Sequence, residues 1–128
     1  MNAKDRHAKA AESRVGAAQA ETGGNGREAP AGAVSSPYPV QLRFSDTDRL
    51  GHVNNAVYAT FAELGRLAFL RELGMTDRGL ILAHLAIDFV HQVHLEDECA
   101  VTTGVVKVGN TSFELAQTLT ANGATAAR

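Results

Sequence analysis

Cysteine is nearly absent from this 128-residue chain: Cys99 stands alone, which excludes an internal disulfide and suits a reducing compartment. Excess charge is nearly absent too. The formal net charge of -2 leaves nothing to attract nucleic acid or an anionic membrane surface. The N-terminus carries no apolar run of the kind a secretory signal or anchor needs, so the expected location is the cytoplasm. No Gly-x-Ser-x-Gly elbow, no phosphate-binding glycine loop with a lysine and no dinucleotide fingerprint occurs, so the chemistry of those motifs is not indicated. Residues 1–36 also lack any aromatic, Ile, Leu or Phe, and cannot bury enough apolar surface to offset the entropy of ordering. They are expected to be a disordered extension, with helix propensity over Ala8 to Glu21 too short to hold alone. Residues 37–128 are expected to form one small domain.

From Tyr38 onward the pattern changes. Val40, Leu42 and Phe44 alternate with Gln41 and Arg43, the period of a half-buried strand. A polar turn runs to Gly51, and a long helix is expected from Asn55 to Leu73, roughly 28 Å at ~1.5 Å per residue. Asn54 or Asn55 can cap it, Arg71 suits its C-terminal dipole, and Gly74 can end it. Val57, Tyr58, Phe61, Leu64, Leu67, Phe69 and Leu70 leave no wide polar stripe, so burial nearly all round is expected. Glu63, Arg66, Arg71 and Glu72 interrupt it too often for a membrane span. Alternation over Ile81 to Val90 reads as a long strand. Cys99 to Val108 and Thr111 to Thr120 read as two more. Asn122-Gly123 announces a hairpin into a further strand, expected to be cut short at Arg128 and to leave backbone groups unpaired. Strand, long helix, then antiparallel strands make an α+β fold with one sheet curled round one helix.

A helix N-terminus offers free amides and a partial positive charge, which stabilise an anionic oxygen. Asp48, in the turn just before, would face a carbonyl docked there, either attacking it or activating a water. The amides would hold the developing oxyanion. On spacing alone, an Asp-rich turn before a helix is more commonly a cap than a catalyst. Asp46 reads as a turn anchor. Tyr58 reads as core or as a hydrogen bonder in the site, and Glu63 reads as half of an i,i+3 pair with Arg66 or as a catalyst on the helix. His91 and His94 would point to opposite faces of a strand, so no metal site is expected.

Asp46-Thr47-Asp48-x-x-Gly51-His52-Val53-Asn54-Asn55-x-x-Tyr58, after Arg43-Phe44, resembles the active-site segment of the hotdog-fold acyl-CoA thioesterases, above all the 4-hydroxybenzoyl-CoA thioesterase branch. The His52-Val53-Asn54-Asn55 run is also similar to that of the plant acyl-acyl-carrier-protein thioesterases. The likeness continues through Ile87-Asp88-Phe89, Val93-His94-Leu95-x-Asp97-Glu98 and Val108-Gly109-Asn110-x-Ser112-Phe113. It implies a hotdog fold, thioester hydrolysis without a cofactor, and an acyl-CoA or acyl-carrier-protein substrate. It implies a homodimer or homotetramer with sites at the subunit boundary. Asp48 matches the catalytic carboxylate, and the backbone amide of Asn55 matches the donor to the thioester carbonyl. His52, Asn54, Tyr58 and Glu63 are possible supporting residues. Leu50 stands where the plant branch has an Asn, so that branch's network is incomplete here. The rival readings are a non-catalytic acyl-thioester-binding module and an inactive fragment of a thioesterase.

Overall fold

The computed structural model describes residues 14–20, 32–76 and 78–128, the first of these by backbone alone. Strand β1 (Arg14–Ala20) precedes β2 (Tyr38–Val40) and a 3-10 turn over Phe44–Asp46. Helix α1 (Asn55–Glu72) follows, then β3 (Leu80–Leu82), β4 (Cys99–Val108), β5 (Ser112–Ala121) and β6 (Ala124–Ala127). The sheet is antiparallel throughout, in the order β2-β4-β5-β1-β3, with β6 also on β5. This is the expected α+β architecture: one helix packed on a curled antiparallel sheet.

The alternating Val and Thr residues of β4 and β5 turn one face inward. Cys99, Val101, Thr103 and Val105 are buried on β4, and Leu115, Gln117 and Leu119 on β5. α1 lies across that face with Tyr58, Phe61, Ala62, Gly65, Phe69 and Leu70 buried, the i, i+3, i+4 spacing of a single stripe. Its other side is open, and Leu64 is 39% exposed. Burial all round does not hold, because one curved sheet covers one face. Asn54 caps the start by accepting from the Ala56 amide, and the chain turns away at Gly74.

Three expected elements differ. The strand expected over Ile81 to Val90 is regular only at Leu80–Leu82. Farther on, Asp88 exchanges backbone bonds with Arg128, and the Val90 and His91 amides both turn to the Ala126 carbonyl, which breaks the ladder. β2 stops at Val40. The Asp46 carboxylate captures the Arg43 amide and pulls the chain into the 3-10 turn. Lastly, Arg14–Ala20 lies within the stretch expected to be an unstructured leader, yet it runs as a strand between β5 and β3. The rest of that leader up to residue 31 lies outside the described residues.

β1 and β6 share one edge of β5. β6 pairs with Leu119 to Ala121, and β1 with Ser112 to Ala116. The two run in the same direction, one behind the other in a single lane. Apart from Gln117 and Thr118, that lane is therefore paired where unpaired backbone groups were expected.

Candidate active site

The loop from Thr47 to Val53 is closed on itself before it meets the helix. Asp48 N donates to the His52 carbonyl at 2.7 Å, Gly51 N donates back to Asp48 O at 3.2 Å, and Thr47 bridges Val53. Gly51 takes φ +82, a value that a residue without Cβ reaches at no steric cost. Two anchors fix this loop to the body. Val53 N donates to Val93 O at 2.7 Å, and Asn54 N donates to Asp46 O at 2.8 Å.

Asp46 is the turn anchor, as its position suggests. It is 2% exposed. Its carboxylate accepts from the Arg43 amide at 2.8 Å and from the Arg43 guanidinium at 2.8 and 3.3 Å. The guanidinium bond holds the carboxyl below the usual carboxylate range, against the opposing effect of burial.

Asp48 has the other environment. Its side chain is exposed, and Oδ1 accepts from the amides of Leu50 at 2.8 Å and His52 at 3.2 Å. Oδ2 has no hydrogen-bond partner among the described residues. One oxygen thus fixes the carboxylate to the loop, and the other has no partner among the described residues. The loop delivers Asp48 to a cleft of about 470 Å³ that it shares with His52, Asn54, Asn55 and Tyr58. At the helix start the Ala56 amide is satisfied by the Asn54 side chain and the Val57 amide by the Asn54 carbonyl. The Asn55 amide has no bond of its own among the described residues. It is the orphan donor that a helix start leaves behind.

Tyr58 is buried at the base of the cleft, its ring set edge-on to Phe89 with centroids 5.0 Å apart. Burial, with Cys99 and Asp97 adding to it, raises the phenol above its ordinary range, so it is a neutral donor. It also borders a smaller apolar cavity between helix and sheet, beside Phe61, Ala62 and Gln117. Cys99 is buried, and burial pushes its thiol up to about 11, which leaves it protonated and inert.

Glu63 is not in this cleft. It is exposed farther along α1, and it forms no ion pair with Arg66. The register of the helix turns position 63 away from the stripe that contains Tyr58 and Ala62. Nothing in the sequence marks the far wall, Phe89 to Gln92, as sharing a cleft with Asp48. Its alternation read as a strand, and only the return of the chain against β6 brings it opposite Asp48. His91 lines this wall while His94 turns its Nδ1 toward the Gly51 carbonyl at 3.4 Å, so the two do not converge.

The sequence profile of the thioesterase superfamily matches residues 50–126. The acyl-CoA thioesterase YbgC of Haemophilus influenzae is 32% identical over 93 residues, 66% of this chain and 68% of that protein. The uncharacterized protein YsmA of Bacillus subtilis is 29% identical over 80 residues, 59% of this chain, which spans about half (54%) of YsmA's length. Among solved structures, a Thermus thermophilus thioesterase complexed with coenzyme A and Zn superposes with a TM-score of 0.66 at 35% identity, covering 71% of each chain.

Proposed function

The chain belongs to the thioesterase superfamily, and on that premise we propose that it hydrolyses acyl-CoA thioesters to a free acid and a thiol, with Asp48 as the catalytic carboxylate. One observation carries the reading: Asp48, with Oδ2 free, and the unbonded Asn55 amide border the same cleft. A thioester carbonyl seated on that amide lies at the positive end of α1, where developing negative charge is stabilised. Oδ2 then attacks the carbonyl carbon to form an acyl-aspartyl anhydride, expelling the thiolate. Alternatively, it takes a proton from a water that attacks the carbon instead. In the first route a second water opens the anhydride; in both, the leaving sulfur acquires a proton. The thiol that carries the acyl group is coenzyme A or an acyl-carrier protein. No step calls for a metal or cofactor.

Free-thiol release from a panel of acyl-CoAs, with Asp48→Asn alongside, tests the reading. A loss on the order of 10²-fold or more is expected. Equal rates for the two proteins would remove Asp48 from the mechanism. A single turnover in heavy-oxygen water separates the routes, because only the anhydride route places the label in the Asp48 carboxylate.

The exposure of Asp48 in a single subunit supports a further part of the reading. Phe44 is 82% exposed, Leu50 77% and Phe89 48%, and the last two line the cleft. Apolar side chains at the rim of a polar site suit cover by a second copy of the chain. A homodimer, or a homotetramer built from it, would complete the cleft, and sedimentation at varied concentration tests this. Among the described residues no helix is long and apolar enough to cross a membrane, and the expected location is the cytoplasm.

A further inference from the structure

The Asp48 carboxylate is aimed by its loop, and the loop is tied to a second turn, His94 to Asp97. Val53 N donates to Val93 O, His52 and His94 form a bridge, and their rings meet edge to face with centroids 5.4 Å apart. His94 in turn is held by Asp97. Its amide donates to Asp97 Oδ2 at 2.8 Å, and Asp97 N donates to the His94 carbonyl at 3.1 Å. Asp97 Oδ1 accepts from Asn122 Nδ2 at 2.9 Å. Asn122 also accepts from the Glu98 amide through Oδ1 at 2.9 Å and donates its own amide to Glu98 O at 2.8 Å. Every side-chain atom able to bond in Asp97 and Asn122 is therefore engaged, and the chain of contacts runs unbroken from the β5–β6 turn to Asp48.

Asn122 sits at φ +50. Asn tolerates that conformation, but glycine would serve the turn equally well. The turn alone does not explain an amide side chain there, whereas clamping Asp97 and the Glu98 amide does.

We propose that Asp97 and Asn122 are positioning residues for the Asp48 carboxylate, acting through His94 and the turn Gly51–Val53. The inference rests on the reading of Asp48 as catalyst. A carboxylate that must meet a carbonyl carbon within a few tenths of an ångström is sensitive to small displacements of its loop, which cost rate while leaving the bulk of substrate binding intact. The lowered range of the Asp97 carboxyl, set first by the His94 amide and helped by the Asn122 side chain, keeps it an acceptor on both oxygens at neutral pH.

The test uses the full chain with Asn122→Gly, which keeps the backbone geometry and removes the clamp. Asp97→Asn is the second variant; it keeps the size of the side chain but has one acceptor oxygen for two donors. Both are expected to lower kcat by roughly 10-fold or more with KM within about twofold of the parent. Hydrogen exchange is expected to speed up at the Leu50 and His52 amides that hold Asp48 Oδ1, with no change at the β4–β5 ladder. Unchanged exchange at residues 50 and 52, or faster exchange with kcat intact, overturns the proposal. A rise in KM with kcat unchanged overturns it too, since that marks a binding role. If the parent protein shows no turnover, the reading of Asp48 falls, while exchange at Leu50 and His52 still decides whether the clamp holds the loop.

Discussion

Asp46 and Asp48 stand two positions apart and have opposite environments, one buried and one exposed. Asp46 is buried against Arg43, and its carboxyl is held below its ordinary range, first by the guanidinium hydrogen bond. A group whose folded pKa is depressed adds stability above its unfolded pKa, about 3.9 for Asp, and loses it as pH falls through the folded value. Urea midpoints followed from pH 6 down to pH 2 are therefore expected to fall more gently below about pH 4 for Asp46→Asn than for the parent. Asn54→Ala removes the acceptor for the Ala56 amide and is expected to cost about 1 kcal/mol in the same measurement. That Asp48, His52, Asn54 and Asn55 border one cleft was legible because the loop and the helix start are contiguous in the chain. Phe89 to Gln92 were not, because nothing local says which distant turn they will face. Glu63 stands outside the cleft for a related reason: a side chain near buried neighbours in sequence need not share their face.

At the scale of the element, α1 approaches β4 closely at Gly65. A Cβ at Gly65 would lie 2.8 Å from Val101 Cβ. Gly65→Ala gains about 1 kcal/mol of helix propensity. Driving a methyl into backbone-mounted Val101 costs about 1–3 kcal/mol, so a net loss and a lower melting temperature are expected. Beside it, Gln117 donates to Ala62 O and Thr103 Oγ1, both at 2.8 Å, inside a region otherwise apolar. Gln117→Met leaves the Thr103 hydroxyl short of a partner. Adding Thr103→Val is expected to recover about 1 kcal/mol of that loss, read as non-additivity in a denaturation cycle. The helix bounds were legible to within a residue, since a cap, a dipole-matched Arg71 and a stopping Gly74 agree. The strand after the helix is shorter than its alternation suggests: alternation reports which side chains share a face, whereas a ladder also needs a partner of matching length. β1 is not legible in its own residues, because Ala-rich sequence carries helix propensity, which pairing on both edges overrides.

At the scale of the whole molecule, β3 is joined to the sheet by β1. Removing residues 1–21 opens the edge of β5 from Ser112 to Ala116 and the edge of β3, and open strand edges recruit other chains. Light scattering of the shortened protein is expected to rise with concentration while that of the parent stays flat. The α+β architecture was legible from the order of elements alone. The order of strands within the sheet was not, since a strand from residues ahead of the domain inserts between two that follow it.

The shared lane along β5 separates neighbourhood in space from neighbourhood along the polypeptide. Ala127 and Arg14 follow one another with only Gln117 and Thr118 of β5 between their partners. A rewired protein, in which Arg128 is fused to Arg14 through a bridge of about two residues and the old connection is opened between 21 and 31, should fold to the same sheet. Its first and last strands, β1 and β6, would become one, and a search for the nucleus of folding would then begin at that seam.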